Sequence, residues 1–163
     1  MLFDDGFENW VKENADGPIY DLGGAFGCPE GWTSVDLNEP AEIRANLNER
    51  WPFDDGSVAA FRAHDIIEHL TNKCHTMAEL HRCLKPGGWA LIRVPSTDGR
   101  GAFQDPTHVT YWNENNFWYW TRETSRYING KIIFVERRLC TLFPTPWHED
   151  AKICYCVADL QKI

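Results

Sequence analysis

Short apolar runs alternate with polar or glycine-containing corners through the first hundred residues. Four of these runs have the length and the flanking Gly, Pro, Asn or Asp residues of β-strands: 18–22, 33–37, 42–47 and 58–63. The next segment, 65–84, carries apolar residues at helical spacing and ends at "KPGG", where proline and glycine stop a helix. A buried strand is predicted at 89–94. This alternation favours a parallel sheet with crossover connections.

The pattern changes after Pro95. Residues 96–127 are polar, aromatic and irregular, and the stretch 109–120, "VTYWNENNFWYW", holds six aromatic residues. Two long strands are predicted at 131–142 and 152–162, joined by "FPTPWHED" as an antiparallel hairpin at a sheet edge. A short amphipathic helix is predicted near the start, at 5–15. We expect one α/β domain that spans residues 1–163.

Composition limits the possible partners. An apolar content of 43% in 163 residues is enough to build a hydrophobic core. The net charge is −8 and the chain has no run of Lys or Arg, which non-specific nucleic-acid binding requires. We therefore expect no long nucleic acid as a partner, whereas a single nucleotide-like ligand held by backbone groups is compatible with this charge.

The N-terminal sequence and the cysteines suggest a reducing compartment. Acidic residues stand where a secretory signal needs basic and apolar ones, and no apolar window reaches the length of a membrane span. We therefore expect a cytoplasmic protein without a membrane partner. The six cysteines include no C-x-x-C pair and are expected to be reduced. In "CHTMAELHRC" the His and Cys side chains point around the predicted helix, so no metal site is expected.

Two corners of the predicted sheet have the features of a ligand site. The first strand runs into "DLGGAFG", residues 21–27, which offers free amide groups at the edge where parallel sheets bind ligands. The second strand ends at Asp36, whose carboxylate can accept hydrogen bonds from both hydroxyls of a ribose. Each signal alone is weak, because glycine-rich turns are common in loops without a ligand.

The link between these two strands, residues 23–32, is too short for a full helix. Ten extended residues span roughly 33 Å. To connect two neighbouring parallel strands, the link has to run back along a strand of five residues, about 17 Å, and cross to the next strand, about 5 Å. The link can therefore connect parallel strands as a loop or as one short turn.

The motifs occur in an order that is more specific than any one of them: "YDLGGAFG", "VDL", "PFDDGSVA", "IIEHL" and "LKPGGWALIRVP". In this order they resemble class I S-adenosylmethionine (SAM)-dependent methyltransferases of the small-molecule type. The resemblance covers about residues 19–94 and continues more loosely to the C-terminal strands. It implies a three-layer Rossmann-like methyltransferase fold with a mostly parallel sheet, a C-terminal antiparallel hairpin and a shortened first helix. The implied activity is methyl transfer from SAM to a small-molecule or sugar/nucleotide-like acceptor.

The resemblance also implies a set of cofactor contacts. The first loop would face the methionine part of SAM, the end of the second strand the ribose, the 46–47 segment the adenine, and the end of the fourth strand the sulfonium. Two positions depart from the family pattern, because Ala25 replaces a glycine and Asn46 an aspartate. The candidate cofactor-binding residues are Asp21, Gly23, Gly24, Ala25, Phe26, Gly27, Asp36, Leu37, Asn46, Leu47, Ala63 and His64.

Methyl transfer depends mainly on positioning, and a base is needed only if the acceptor must lose a proton. We predict His108 as that base and Asp105 as the group that orients it, while His69 completes the catalytic set by closing the cofactor pocket. The alternative is that Asp105 and His108 only hold a loop. The aromatic stretch 109–120 is open to two interpretations, an acceptor lid or a small hydrophobic core beneath a loop.

Two other functions are compatible with parts of the sequence. A nicotinamide-dependent (NAD) oxidoreductase could use a similar sheet, but "DLGGAFG" departs from G-x-G-x-x-G and no full helix follows it. A non-catalytic SAM-binding or scaffold protein is favoured by the short first loop and by Ala25.

Overall fold

A computed structural model describes residues 6–122, 127–128 and 134–163. Its seven strands form one sheet: β1 (Ile19–Leu22), β2 (Thr33–Asp36), β3 (Ile43–Arg44), β4 (Val58–His64), β5 (Leu84–Pro95), β6 (Phe134–Leu142) and β7 (Tyr155–Lys162). The helices are α1 (Phe7–Asn14), α2 (Lys73–Cys83), α3 (Gly101–Gln104), α4 (Glu114–Thr121) and α5 (Pro146–Ala151). Two 3₁₀ turns lie at Gly24–Phe26 and Ile67–His69.

The sheet order is β3-β2-β1-β4-β5-β7-β6. Strands β1 to β5 pair in parallel, with Leu22 opposite both Val35 and Ala63. Strand β7 is antiparallel to both β5 and β6. The predicted α/β class, mostly parallel with a C-terminal antiparallel hairpin, is confirmed, and so is the parallel pairing of β1 and β2 across their short link.

The two faces of the sheet are covered unequally. Helices α2 and α4 pack on one face, where Met77, Leu80 and Phe117 join a large core with Phe61 and Ile92 of the central strands. The other face carries α1, and a smaller cluster forms there from Val11, Trp32, Ala60 and Leu91. Since side chains alternate along a strand, the apolar runs of β4 and β5 supply both clusters.

Several predicted boundaries were wrong. The helix predicted over 65–84 begins only at Lys73, because the Asn72 side chain caps it by accepting a hydrogen bond from the His75 backbone N–H at 3.1 Å. Strand β5 begins at Leu84 and not at residue 89, since Leu84 already pairs with Val58 of β4. Strand β3 has two residues instead of six.

The C-terminal third contains more helix than predicted. Helices α3 and α4 lie in the segment expected to be irregular, and "FPTPWHED" contains α5, which Thr145 caps. Of the strand predicted at 131–142, residues 131–133 lie outside the described part of the chain. In the described ranges, no helix combines the length and the apolar character needed to cross a membrane.

Candidate functional site

Three adjoining cavities lie at the carboxyl ends of the parallel strands. The β2 cavity, of about 320 Å³, is lined by residues that include Gly23, Asp36, Leu37, Asn46, Leu47, Asp65 and His69. The loop cavity, of about 290 Å³, is lined by Asp21, Gly23, Gly24, Phe26, Gly27, Arg62, His64 and Asp65. The His108 cavity, of about 230 Å³, is lined by residues that include Asp65, Glu68, His69, Asp105, His108 and Tyr155.

Most of the candidate cofactor residues line the first two cavities, but two do not. Ala63 has no exposed surface and belongs to the core beneath the site. Ala25 lies in the 3₁₀ turn, and its backbone N–H approaches Asp36 Oδ2 at 3.4 Å. The short link thus touches the end of β2 through its backbone.

Glycine is required in the first loop for steric reasons. Gly23 has a φ of +78°, and a Cβ there would lie 2.9 Å from the Ile66 Cβ. A Cβ on Gly24 would lie 2.6 Å from Asp21 Oδ2. Larger residues would therefore push the loop away from the strand end and reshape the wall shared by the β2 and loop cavities.

Asp36 presents one loosely held oxygen to the β2 cavity. Its Oδ1 accepts from the Asn38 backbone N–H at 2.9 Å and from the Asn38 side chain at 3.2 Å, which fixes the carboxylate. The contact of Oδ2 with Ala25 is long, so Oδ2 keeps the capacity to accept from a ligand hydroxyl.

Asn46 is held by its own loop. Its Oδ1 accepts from the Asn48 backbone N–H at 3.1 Å, and its Nδ2 donates to Glu49 Oε1 at 3.0 Å. These bonds orient the amide, and the second lone pair of Oδ1 is left to accept from a ligand.

A buried ionic network forms the floor of the loop cavity. Arg62 donates to Asp21 Oδ1 and to Glu8 Oε1, both at 2.7 Å, and His64 Nε2 lies 3.3 Å from Glu8 Oε2. Burial raises the pKa of Asp21 despite the charge of Arg62. Burial alone would raise the pKa of Glu8 too, but His64 and Arg62 outweigh it and lower that pKa to about 2.

Asp65 is the residue at which the three cavities meet, and sequence reasoning missed it. It follows β4 directly, has a φ of +50°, and donates its backbone N–H to the Arg93 carbonyl at 3.0 Å. Burial of the carboxyl raises its pKa, although a hydrogen bond from the Tyr155 hydroxyl acts in the opposite direction. Its position immediately after the fourth strand was the signal available, since ligands bind at the carboxyl ends of such strands.

Asp105 and His108, predicted as a pair, lie close together, but no hydrogen bond joins their side chains. His108 Nδ1 lies 2.9 Å from the Ala102 carbonyl, which therefore orients the ring. Asp105 Oδ2 lies 3.9 Å from His108 Nε2, beyond hydrogen-bond distance, and Asp105 Oδ1 accepts instead from the Thr107 hydroxyl at 2.6 Å. Asp105 holds its own turn and stands at the edge of the cavity.

Glu68 is a second residue that the sequence did not single out. Only 2% of its surface is exposed, and neither carboxylate oxygen has a hydrogen-bond partner in another described residue. Its Oε1 lies 3.9 Å from His108 Nε2. Burial, reinforced by the nearby charges of Asp65 and Asp105, raises the pKa of Glu68 to about 8.

His69 lines both the β2 cavity and the His108 cavity. Its ring meets that of His108 edge to face, with centroids 4.9 Å apart. Its Nδ1 lies 3.2 Å from the Thr107 carbonyl and also 3.2 Å from the Thr107 hydroxyl.

The aromatic stretch is mainly core. Trp112, Phe117 and Trp120 are buried in the main hydrophobic core, so these three rings form neither an acceptor lid nor a separate small core. Tyr111 is exposed and stacks on Phe103 at 5.2 Å, so these two rings form a small apolar surface. Another cavity, of about 680 Å³, lies between α1 and the β5–β7–β6 face. It touches Trp89 and Gln161, far from the carboxyl ends of the strands, and we do not assign the site to it.

Comparison with known proteins agrees with this geometry. Residues 17–143 match a family model described as a methyltransferase domain. No curated protein sequence matches the chain.

Solved structures with the same fold are distant in sequence. A SAM-dependent methyltransferase from Archaeoglobus fulgidus aligns with a TM-score of 0.63 at 14% identity, covering 96% of this chain and 91% of that one. One from Aquifex aeolicus aligns with a TM-score of 0.58 at 17% identity, covering 98% and 90%. A complex of a methyltransferase activator and a methyltransferase from Haloferax volcanii aligns with a TM-score of 0.62 at 15% identity, covering 96% and 89%. At these identities the alignments establish a common fold.

Proposed function

This chain belongs to the methyltransferase domain family, and from that premise we propose that it transfers a methyl group from SAM to a small-molecule or sugar/nucleotide-like acceptor in the His108 cavity. One observation carries the proposal. The β2 and loop cavities share Gly23 and Asp65, and the His108 cavity opens at the same Asp65. An elongated cofactor and a separate acceptor would therefore meet at one point.

The residues of the first two cavities suit the two halves of SAM. Asp36 Oδ2 can accept from the ribose hydroxyls, and Asn46 Oδ1 from the adenine amino group. The loop cavity is lined by two carboxyl groups, those of Asp21 and Asp65, and by the single guanidinium of Arg62. This excess of acidic groups favours a ligand that carries an ammonium and a sulfonium.

When bound, SAM supplies a methyl carbon made electrophilic by its positive sulfur. The chain has to align an acceptor atom with that carbon, so that the new bond forms as the carbon–sulfur bond breaks and its electrons stay on sulfur. If the acceptor is a hydroxyl or amine, its proton needs a base. His108 can take it at Nε2, because Nδ1 is engaged by the Ala102 carbonyl.

Calorimetry tests the cofactor assignment. We expect S-adenosylhomocysteine to bind the wild-type protein and NAD not to bind. Asp36→Ala should weaken S-adenosylhomocysteine binding about 10- to 100-fold, since a hydrogen bond to a charged group contributes about 1.5–3 kcal/mol. The control is Asp54→Ala, an exposed aspartate outside the three cavities. Equal affinities for wild type and Asp36→Ala would contradict the assignment.

Turnover separates an enzyme from a SAM-binding scaffold. Incubation with SAM and a panel of hydroxylated, amino and sugar or nucleotide acceptors should produce S-adenosylhomocysteine above the acceptor-free rate. Binding of SAM without product across the panel would favour the scaffold alternative.

A further inference from the structure

Three side chains in the His108 cavity form a group of potential metal ligands. One ligand atom each from Glu68, His69 and His108 lies within 4.8 Å of the others. We propose that this triad binds a divalent ion of the first transition row, and that the ion holds an oxygen of the methyl acceptor. The second half of the proposal rests on the proposed function, whereas the first half does not.

In the neutral imidazole ring of His108, the surrounding hydrogen bonds place the lone pair on Nε2. A carbonyl oxygen can only accept, so the 2.9 Å contact with Ala102 requires the ring proton on Nδ1. The lone pair is then on Nε2, which points toward Glu68 Oε1 and Asp105 Oδ2, each 3.9 Å away. A carbonyl acceptor behind the ring is the usual arrangement for a histidine that binds a metal.

The same argument fixes the proton of His69. The Thr107 hydroxyl donates its hydrogen to Asp105 Oδ1 at 2.6 Å, so it can only accept from His69. The Thr107 carbonyl also accepts, and both oxygens lie 3.2 Å from His69 Nδ1. Nδ1 therefore carries the proton, and Nε2 of His69 is a second available donor of electrons.

Glu68 supplies the anionic member. Its carboxylate is 98% buried, and no other described residue gives either oxygen a hydrogen bond. Leaving such a group unpaired is costly, because its hydration is lost without replacement. Once the ion displaces the proton of this carboxyl group, its oxygen and the two imidazole nitrogens can all donate electron pairs to one cation.

The donor set selects the class of ion. Imidazole nitrogens favour Zn²⁺, Fe²⁺, Ni²⁺ or Cu²⁺ over Mg²⁺, and two histidines with one carboxylate leave coordination positions open for a ligand. Ligand atoms around a tetrahedral ion lie roughly 3.4 Å apart, given bonds of about 2.0–2.2 Å. The longest separation in the triad, within 4.8 Å, thus exceeds that of an occupied site by at most about 1.4 Å.

Backbone hydrogen bonds join the two segments that carry the triad, the turn with Glu68 and His69 and the segment with His108. The Glu68 carbonyl accepts from the backbone N–H groups of Val109 at 2.9 Å and Thr110 at 3.0 Å. The segment that carries His108 is therefore tied to the 3₁₀ turn that carries Glu68 and His69. This pre-organises ligands from two segments that lie 39 residues apart in sequence, from His69 to His108.

The bound ion would activate an acceptor hydroxyl by coordinating its oxygen. Coordination lowers the pKa of the hydroxyl, whose proton leaves to solvent past the exposed edge at Asp105. The oxygen then attacks the methyl carbon of SAM, and the carbon–sulfur electrons remain on sulfur. This replaces proton removal by His108, whose lone pair is used by the ion.

The expectation of no metal site concerned the histidines and cysteines of α2. The triad uses other residues: Glu68 and His69 lie in the 3₁₀ turn before α2, and His108 lies 25 residues beyond Cys83, the end of that helix.

Calorimetry and absorption with Co²⁺ test the site, using the chelator-treated protein without SAM. We expect one Co²⁺ per chain, with visible bands and without the thiolate charge-transfer absorption that a cysteine site would give. Glu68→Gln and His69→Gln should each weaken binding at least about 100-fold, given that loss of an outer partner alone costs 10- to 100-fold. His75→Gln, on α2 and outside the cluster, is the matched control and should bind like wild type.

The outcomes separate this inference from the proposed function. Stoichiometric binding that is lost in Glu68→Gln and His69→Gln, but kept in His75→Gln, supports the site. Absence of stoichiometric binding, thiolate absorption, or unchanged affinity in folded Glu68→Gln or His69→Gln overturns it. Binding of S-adenosylhomocysteine is measured on the same metal-free samples, so its failure counts against the cofactor assignment alone. Circular dichroism confirms that each variant is folded.

Discussion

At the scale of single residues, Glu8 and His64 connect α1 to the end of β4. The His64 Nε2 atom lies 3.3 Å from Glu8 Oε2, and both side chains are largely buried. Burial lowers the pKa of His64 from 6.5 to about 4, assisted by the charges of Arg62 and Arg93 and opposed by Glu8. At neutral pH this histidine is therefore neutral inside a charged network.

This lowered pKa predicts a loss of stability in mild acid. Above pH 6.5 His64 is neutral in both states. Between pH 6.5 and about 4 only the unfolded chain takes up the proton, so the free energy of unfolding falls as the pH falls. At about 1.4 kcal/mol for each pKa unit, the loss is on the order of 3 kcal/mol.

Urea denaturation of wild type and His64→Gln across this pH range measures the effect. The difference in unfolding free energy between the two proteins should change through the window and level off on either side. A difference that is constant from pH 7 to pH 4 would show that His64 keeps its ordinary pKa.

The site residues that the sequence predicts are those whose role follows from their position in the backbone. Gly23 and Asp36 stand at strand ends that the apolar pattern locates, and both line the β2 cavity. Asp65 and Glu68 could not be ranked from sequence, because their importance depends on burial and on neighbours from distant segments. The orientation of His108 by the Ala102 carbonyl depends on α3, which was not predicted.

At the scale of elements, α4 fixes the position of the segment that carries His108. Asn113 and Asn116 form a capping box at the start of α4, and Asn113 also donates to Thr97 Oγ1 at 2.8 Å. Trp112, next to the cap, is fully buried. The cap therefore anchors the chain between the His108 cavity and the helix.

Removing the cap should destabilise the protein moderately. Asn113→Ala loses the cap and the bond to Thr97, and we expect a cost of about 1–2 kcal/mol in chemical denaturation. The control is Asn115→Ala on the exposed side of the same helix, which should change stability by less than about 0.5 kcal/mol. Similar costs for the two variants would mean that the cap does not hold α4.

The elements that the sequence predicted best are the central strands, where continuous apolar runs leave little choice of structure. The wrong predictions concern helix ends that polar side chains determine. Asn72 caps α2 inside apolar spacing that begins at residue 65. The Asn113–Asn116 capping box lies within a stretch dominated by aromatic residues. Apolar periodicity locates buried surface, whereas caps determine where a helix begins.

At the scale of the whole molecule, the hairpin is attached to the parallel sheet through a buried charge cluster. Asp159 of β7 accepts from Arg93 of β5 and from Arg138 of β6, each at 2.6 Å. Asp159 and Arg93 have no exposed side-chain surface. The Asp159 carboxylate thus links β5, β7 and β6, the three strands at one end of the sheet.

Neutralising that carboxylate should destabilise the whole fold. Asp159→Asn leaves two guanidinium groups beside an amide, and we expect a loss of about 3–5 kcal/mol in the free energy of unfolding. Glu136→Gln provides the comparison, because its ion pair with Arg122 lies at the surface and should contribute less than about 1 kcal/mol. Urea denaturation measures both, and a cost below 1 kcal/mol for Asp159→Asn would refute this account of the cluster.

Asp65, the shared wall of the three cavities, has a thermodynamic consequence. A ligand in one cavity that changes the proton or the hydrogen bonds of this carboxyl changes the affinity of the other cavities. Linkage requires that the effect be reciprocal, with the same factor in both directions. The dissociation constant of the cofactor measured alone would therefore differ from the one measured with the acceptor bound, and the same holds for the acceptor.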